Sequence, residues 1–289
     1  MLDGCLAAIC ASIDDKDEVT VVDSASRGAD VRTVAARYSA KYIRCDTPGA
    51  SLARNVGWQS SLHTIVAFVD DDVRVSADWA SAYRRVFEDH SDVSFATGKV
   101  LPAGRAVVRE VATMDREDAM AFRAGVRDSP GHSANLAVRR EALAEIGGFD
   151  ERLGAGGDFR AAEDGDLFDR LYAAGRLGRY EPEALAWHDQ WRSARQIFFL
   201  DFSYGFGAGA RVAKLLRTNR VHGLKYAKAL YWGWGLHDAW KCMRLRAPFQ
   251  AVSAVSRFVG AVVGLLRTLL VPVRNGHFAK ATLIRSRRR

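Results

Sequence analysis

The chain has 289 residues, 48% of them hydrophobic, and a formal net charge of +8; this is ample for one large core or for a domain with an appendage, and it excludes a disordered chain. The charge is divided: residues 211–289 hold 17 Lys or Arg against a single acidic residue, Asp238, whereas residues 1–210 carry a net charge of −8. That division excludes a domain basic throughout, as nucleic-acid binders are, and fits an acidic body whose tail meets something anionic.

Residues 2–13 space Leu2, Leu6, Ile9 and Ile13 as a helix does, and Asp14-Asp15-Lys16-Asp17 is a polar turn. Residues 18–22 are a short β-rich run closing on Asp23-Ser24-Ala25-Ser26. A helix is expected over residues 29–38, a strand over 41–45, a turn at Thr47-Pro48-Gly49 and a helix over 51–61, with Ser51 as its N-cap. Strand, helix, strand, helix, strand at this pitch is a doubly wound α/β pattern. Further helices are expected over 77–89, 139–146 (stopping at Gly147-Gly148) and 163–174, and strands over 93–100 and 135–138. Residues 103–130 are mixed and polar, and residues 185–188 close the body.

Cys5, Cys10, Cys45 and Cys242 show no C-x-x-C spacing and read as free thiols of a reducing compartment. Met1-Leu2-Asp3-Gly4 lacks the basic start and long apolar run of a signal peptide, so a cytosolic body is expected. Beyond residue 193 the character changes to helical and aromatic. Tyr204-Gly205-Phe206-Gly207-Ala208-Gly209 brings small residues to the spacing that permits tight helix packing. Residues 248–273 are strongly apolar but interrupted by Arg257 and Arg267, which suits an interfacial amphipathic helix with snorkelling arginines better than a membrane span. The end, Arg285-Ser286-Arg287-Arg288-Arg289, suits anionic lipid. The expected division is a catalytic α/β domain over 1–192 and a basic, helical, membrane-associated region over 193–289.

The chemistry concentrates in two stretches. Ile65-Val66-Ala67-Phe68-Val69 reads as a strand buried on both faces, and Asp70-Asp71-Asp72 follows without a Lys or Arg. Alternation along a strand puts Asp70 and Asp72 on one side and Asp71 on the other. Paired carboxylates at the carboxyl edge of a sheet suit a hard cation, Mg²⁺ or Mn²⁺, and otherwise read as an acidic, solvated turn. The second stretch is Gly154-Ala155-Gly156-Gly157, a loop able to close over a ligand, followed by Glu163-Asp164 at a helix start. Carboxylates there either complement the helix dipole or serve as a general base.

Six segments in order then carry a resemblance: Val21-Val22-Asp23-Ser24-Ala25-Ser26, Gly49-Ala50-Ser51-Leu52-Ala53-Arg54-Asn55-Val56-Gly57, Phe68-Val69-Asp70-Asp71-Asp72, Asn135 to Leu143, Ile146-Gly147-Gly148-Phe149-Asp150-Glu151 and Glu163-Asp164-Gly165-Asp166-Leu167. The set resembles the family 2 glycosyltransferases with the GT-A nucleotide-sugar fold, over residues 2 to about 210. The resemblance implies Asp23 at the nucleotide base, Arg54 near the donor, and Asp70 or Asp71 near the ribose. It places Asp72, with Asp70, on the metal bound to the diphosphate, and His188 as a third ligand. Asn135 and Arg139 would line the donor-sugar pocket. Asp164 would be the catalytic base and Glu163 its acidic neighbour. The implied reaction is inverting transfer of a hexose from a nucleotide-sugar donor to a hydroxyl of a saccharide, lipid-linked or cell-envelope acceptor, at the inner face of the membrane and without nucleic acid.

The chain departs from the pattern in two places. Family members usually begin with an additional apolar strand and a loop that helps to bind the base. The Q-x-x-R-W signature of processive synthases is also absent, since Gln190-Trp191-Arg192 has another spacing, so transfer of one or few sugars is expected. Two other readings stay open on sequence: a non-catalytic, membrane-associated nucleotide-sugar-binding relative, and a nucleotidyltransferase.

Overall fold

The computed structural model describes residues 1–27, 30–106, 109–124, 129–245 and 247–279. They form two compact units, Met1–Glu151 with Glu163–Ile197, and Arg152–Ala162 with Phe198–Arg289. The basic end at residues 280–289, with its lipid-directed arginines, lies outside the described residues.

The first unit opens with α1 (Leu2–Ser12), β1 (Thr20–Ser24), α2 (Val31–Arg37), β2 (Lys41–Cys45), α3 (Ala50–Gln59) and β3 (Ile65–Val69). It continues through β4 (Val73–Val75), α4 (Trp79–Asp89), β5 (Val93–Ala103), β6 (Met120–Phe122), β7 (Asn135–Arg139), α5 (Arg140–Ile146), α6 (Glu163–Ala173) and β8 (Leu177–Asp189). The α/β class expected from the pattern is present. The second unit holds most of α7 (Ala194–Thr218), then α8 (Arg220–Lys228), a π-helical stretch Ala229–His237, α9 (Asp238–Arg244), α10 (Pro248–Thr268) and a small hairpin of β9 (Val273–Arg274) and β10 (His277–Phe278).

The main sheet has the order β3-β7-β5-β8-β4, with β6 on β8; β3, β5 and β8 run one way, β7, β4 and β6 the other. Alternation along the strands serves two cores. Phe95, Leu136 and Val138 face Trp58 of α3, Leu143 of α5 and Leu167 and Leu171 of α6. Ala96 and Ala137 face Trp79, Tyr83, Val86 and Phe87 of α4. Each of these large side chains contributes about 1.5–3 kcal/mol through burial. Helices therefore cover both faces of the sheet.

Strands β1 and β2 pair in parallel as a separate sheet. No ladder joins β1 to β3. A cavity of about 610 Å³ lies there instead, lined by every residue of both strands and walled by Leu2, Leu6 and Ile9 of α1, Trp58 of α3 and Tyr83 of α4.

Three local expectations change. Ser51 is not the cap of α3: Gly49 is, and Ser51 lies fully buried in the first turn. The strand before the acidic triplet ends at Val69, and a turn closed by Val73 N–H to Asp70 O (3.1 Å) carries the three aspartates. The loop around Gly154–Gly157 is pinned at both ends by a packed core, with Ala155 and Gly156 exposed between them. Leu153 and Phe159 bury with Phe206 and Phe278, the Phe159 and Phe278 rings meet edge to face at 4.8 Å, and Arg152 donates to Ala279 O (2.6 Å) and pairs with Asp158.

In the second unit α7 and α10 pack backbone to backbone. A Cβ added at Gly205 would come 1.9 Å from Arg257 O, at Gly209 2.0 Å from Ala261 O, and at Gly264 2.0 Å from Phe206 O. Only glycine permits this approach, as the spacing at residues 204–209 predicts. Arg257 does not snorkel outward. It turns onto the fully buried Asp201, 2.8 Å away.

Candidate active site

The acidic turn sits at the carboxyl end of β3, where β4 and β8 converge. The antiparallel register pairs Val73 with His188, and Asp189 N–H donates to Asp72 O (2.9 Å). Asp72 is thereby buried beside His188, whose Nε2 lies 3.5 Å from Asp72 Oδ1. Trp191 Nε1–H donates to Asp72 Oδ2 (2.9 Å), and the Arg192 guanidinium lies 3.7 Å from the same oxygen. Gln190 Nε2 donates to His188 O (3.0 Å) and sits 3.2 Å from His188 Nδ1. Gln190, Trp191 and Arg192 were not assigned to the site from sequence. Their position within four residues of His188, at the end of a strand, is the signal that finds them.

Arg54 forms the second half. It projects from α3 and lies 2.8 Å from Asp70 and 3.3 Å from Glu163. Burial works against its charge, yet Asp70, Glu163 and Asp164 outweigh that and raise its pKa further. Glu163 opens α6, whose first turn also holds Asp164 and Asp166. Burial, reinforced by Asp164 and opposed by Arg54, pushes Glu163 up to about 7. Asp164 Oδ1 is buried and accepts no hydrogen bond among the described residues. A carboxylate oxygen left without a donor is costly to keep and common where a reacting group must be received. The residue before the pair, Ala162, holds φ at +71°, an uncommon conformation outside glycine.

Asp23, next to last in β1, is buried and accepts from Ser26 N–H (2.9 Å), Tyr42 OH (2.8 Å) and Arg44 (2.6 Å). Burial alone would raise its pKa, but these donors hold it well below the usual carboxylate range. Asp23, Arg54, Asp70 and Asp71 line the same cavity. Asp71 is raised by burial and by its two aspartate neighbours, and the buried Cys5 thiol, donating to Asp70 O (3.5 Å), is pushed up to about 12 by burial and the same triplet.

Two expected residues are committed to the framework. Asn135 pairs in register with Val69, next to the triplet, but is fully buried with its amide committed: Oδ1 accepts from Trp79 Nε1–H (2.8 Å) and Tyr83 OH (2.7 Å), and Nδ2 donates to Lys99 O and Ala184 O. Arg139 pairs in register with Ile65, at the end of β3 remote from the triplet, and donates to Val93 O and Phe87 O. Both hold the framework; Arg139 lies remote from the expected donor pocket, and the amide of Asn135 is committed to neighbouring strands and α4.

For a divalent cation, Asp72 and His188 offer a hard oxygen and an imidazole nitrogen within reach of one ion, and Asp70 stands two residues away. No group of three such side chains is already gathered among the described residues, so further donors would have to come from the diphosphate of a bound nucleotide.

The two-sided α/β sheet with its acidic turn defines a GT-A nucleotide-sugar fold, and comparison agrees. The mannosyltransferase PcManGT from Pyrobaculum calidifontis, solved in complex with GDP-Man and Mn²⁺, superposes with a TM-score of 0.60 at 16% identity, covering 92% of this chain and 83% of that one. Residues 1–147 match the sequence model of the family described as Glycosyl transferase family 2, and the chain belongs to that family. Similar relatives include the pre-mycofactocin glycosyltransferase of Mycobacterium tuberculosis, 31% identical over 57% of this chain and 35% of that protein. The succinoglycan biosynthesis protein ExoM of Rhizobium meliloti is 26% identical over 76% of this chain and 66% of that protein. The chain spans about a third of the length of the first of these.

Proposed function

We propose that the protein is an inverting hexosyltransferase that moves a sugar from a nucleotide donor to a hydroxyl of a cell-envelope or lipid-linked acceptor, working at the cytoplasmic face of the membrane. The observation that carries this reading is the Asp70–Arg54–Glu163 chain of ion pairs, which ties the end of β3 to the start of α6 and sets the unpartnered oxygen of Asp164 beside it.

In this reading Asp164 takes the proton of the acceptor hydroxyl. The oxygen attacks the anomeric carbon from the face opposite the nucleotide, and the bond to the diphosphate breaks with its electron pair leaving on phosphate. Arg54 keeps Glu163 and Asp70 in place, and Asp23 meets the nucleoside. Asp72 and His188, with Asp70, would hold Mg²⁺ or Mn²⁺, which supplies neutralisation of the departing diphosphate. The donor class is supported by the GDP-Man complex of the structural neighbour, and a saccharide-building role by the succinoglycan biosynthesis in the name of the Rhizobium relative.

The test is a screen of UDP-, GDP- and dTDP-sugars with Mn²⁺ and with EDTA, using the intact chain and its Asp164→Asn variant. Metal-dependent turnover that the variant loses while still binding donor is the expected result. Donor binding without turnover by the intact chain would favour the non-catalytic alternative. Turnover that survives Asp164→Asn would remove Asp164 as the base.

A further inference from the structure

Helix α10 is built inside out. Its covered face carries small residues, Ala251, Ala254, Gly260, Ala261 and Gly264, while Val252, Val255, Val259 and Leu266 stand exposed, with Leu270 just past its end. At 100° per residue those five fall within one narrow stripe along the whole helix. A helix docked onto a protein core in water buries its large aliphatics and turns its polar residues out. The reverse order, with small residues against a neighbouring helix and large aliphatics outward, is how helices pack when the surroundings are hydrocarbon.

The surrounding second unit repeats the pattern. Among the described residues, every exposed large apolar side chain except Met1, Leu62 and Trp191 belongs to it, including Trp232 on the π-helical stretch and Trp240 on α9. Among the described residues the exposed charges there are mostly basic, Lys225, Lys228, Lys241, Arg244, Arg267 and Arg274 among them, with Asp158 the acidic exception.

We infer that the outward face of α10, with Trp232 and Trp240, is a lipid-contacting surface that lies in the headgroup–acyl boundary of an anionic bilayer. This deepens the reading above, on which it rests for a lipid-linked acceptor, and it narrows the anchor expected from residues 248–273 and the arginine-rich end to one described helix face. Three observations select lipid. Indole rings favour the interface, and basic side chains favour anionic headgroups. A second copy docked on the same face would bring two strongly basic surfaces together. The helix is long and apolar enough to cross a membrane, with a mean hydropathy of 1.6. Lying at the surface instead leaves the neighbouring α7, with Asp201, Arg211, Lys214 and Arg217, outside hydrocarbon, where these groups would be expensive.

The experiment is flotation of the full chain with vesicles of phosphatidylcholine alone or with phosphatidylglycerol. The expected result is binding to the anionic vesicles, weakened by salt, with Trp fluorescence quenched by lipids brominated near the headgroup. Val255→Glu combined with Val259→Glu should lower the bound fraction at least tenfold, while Gln250→Glu, exposed on the same helix off the stripe, should not. Circular dichroism and metal-dependent donor turnover with a soluble acceptor should be unchanged in both, which separates failure of this inference from failure of the catalytic reading. Absence of flotation, flotation indifferent to the stripe variant, or light scattering showing a dimer that the stripe variant splits would each overturn it.

Discussion

The two units solve opposite packing problems with the same residue types. In the first, Phe95, Phe122, Phe149, Leu136 and Tyr180 are fully buried, and carboxylates drawn inward meet partners: Asp23 meets Arg44, Asp72 meets His188 and Asp166 meets Arg170. In the second, glycine and alanine make the tightest contacts, and Val252, Val255, Val259 and Leu266 of α10 look outward. The first unit gains its stability by taking large apolar side chains out of water. The second gains much of its order from close helix contact and leaves large apolar area unspent. Apolar content alone therefore does not tell where a segment's partner lies; the size of the residues on the covered face does.

The contrast can be broken in several ways, the largest first. Asp164→Asn should lower kcat about 10²–10⁴-fold with little change in donor affinity, measured by steady-state kinetics and calorimetry; an unchanged kcat would reduce the first unit to a packing exercise. In the second unit, Arg257→Ala removes a cation paired with the fully buried Asp201 and should cost up to about 3 kcal/mol in urea unfolding. Gly264→Leu pushes a side chain onto the Phe206 backbone and should cost about 1–3 kcal/mol.

A pH experiment sharpens the first unit. Glu163 prefers its protonated form in the folded state, its pKa rising from 4.5 to about 7 mainly through burial. That preference stabilises the fold fully below pH 4.5 and is lost as pH rises through 7. The stability of the intact chain relative to Glu163→Gln should therefore fall across that window, by up to about 3 kcal/mol. The smallest effect is the control. Leu62→Glu, on an isolated exposed leucine of the first unit, should move stability by no more than about 0.5 kcal/mol and leave vesicle binding untouched.

What could be read from the chain follows the range of the forces involved. The α/β order was legible because hydrophobic periodicity is local, and α1, β2, β3 and α4 fall where it puts them, within a few residues. The spacing of Gly205 and Gly209 forecast a tight seam, but not that α10 would supply its other side. The triplet was legible as acidic, and a turn stood among its readings, but the end of β3 at Val69 was not legible, because the chain beyond it is held by the pairing of Val73 with His188. Asn135 and Arg139 looked like site residues by position in a motif. Their partners, Trp79 and Tyr83 for one, Phe87 and Val93 for the other, lie roughly 40–60 residues away in sequence and answer only to the fold. The same holds for Trp191 on Asp72.

The cavity between β1 and β3 has a consequence for deuterium uptake. Strand β5 is bonded on both sides, to β7 and β8, whereas β1 and β3 each turn one edge of amides toward open space in the middle of their unit. Exchange should begin there and spread outward, so that a seam within the domain labels as fast as its rim. A ligand seated between the strands would show itself first as slowed labelling at alternate residues of Thr20–Ser24 and Ile65–Val69.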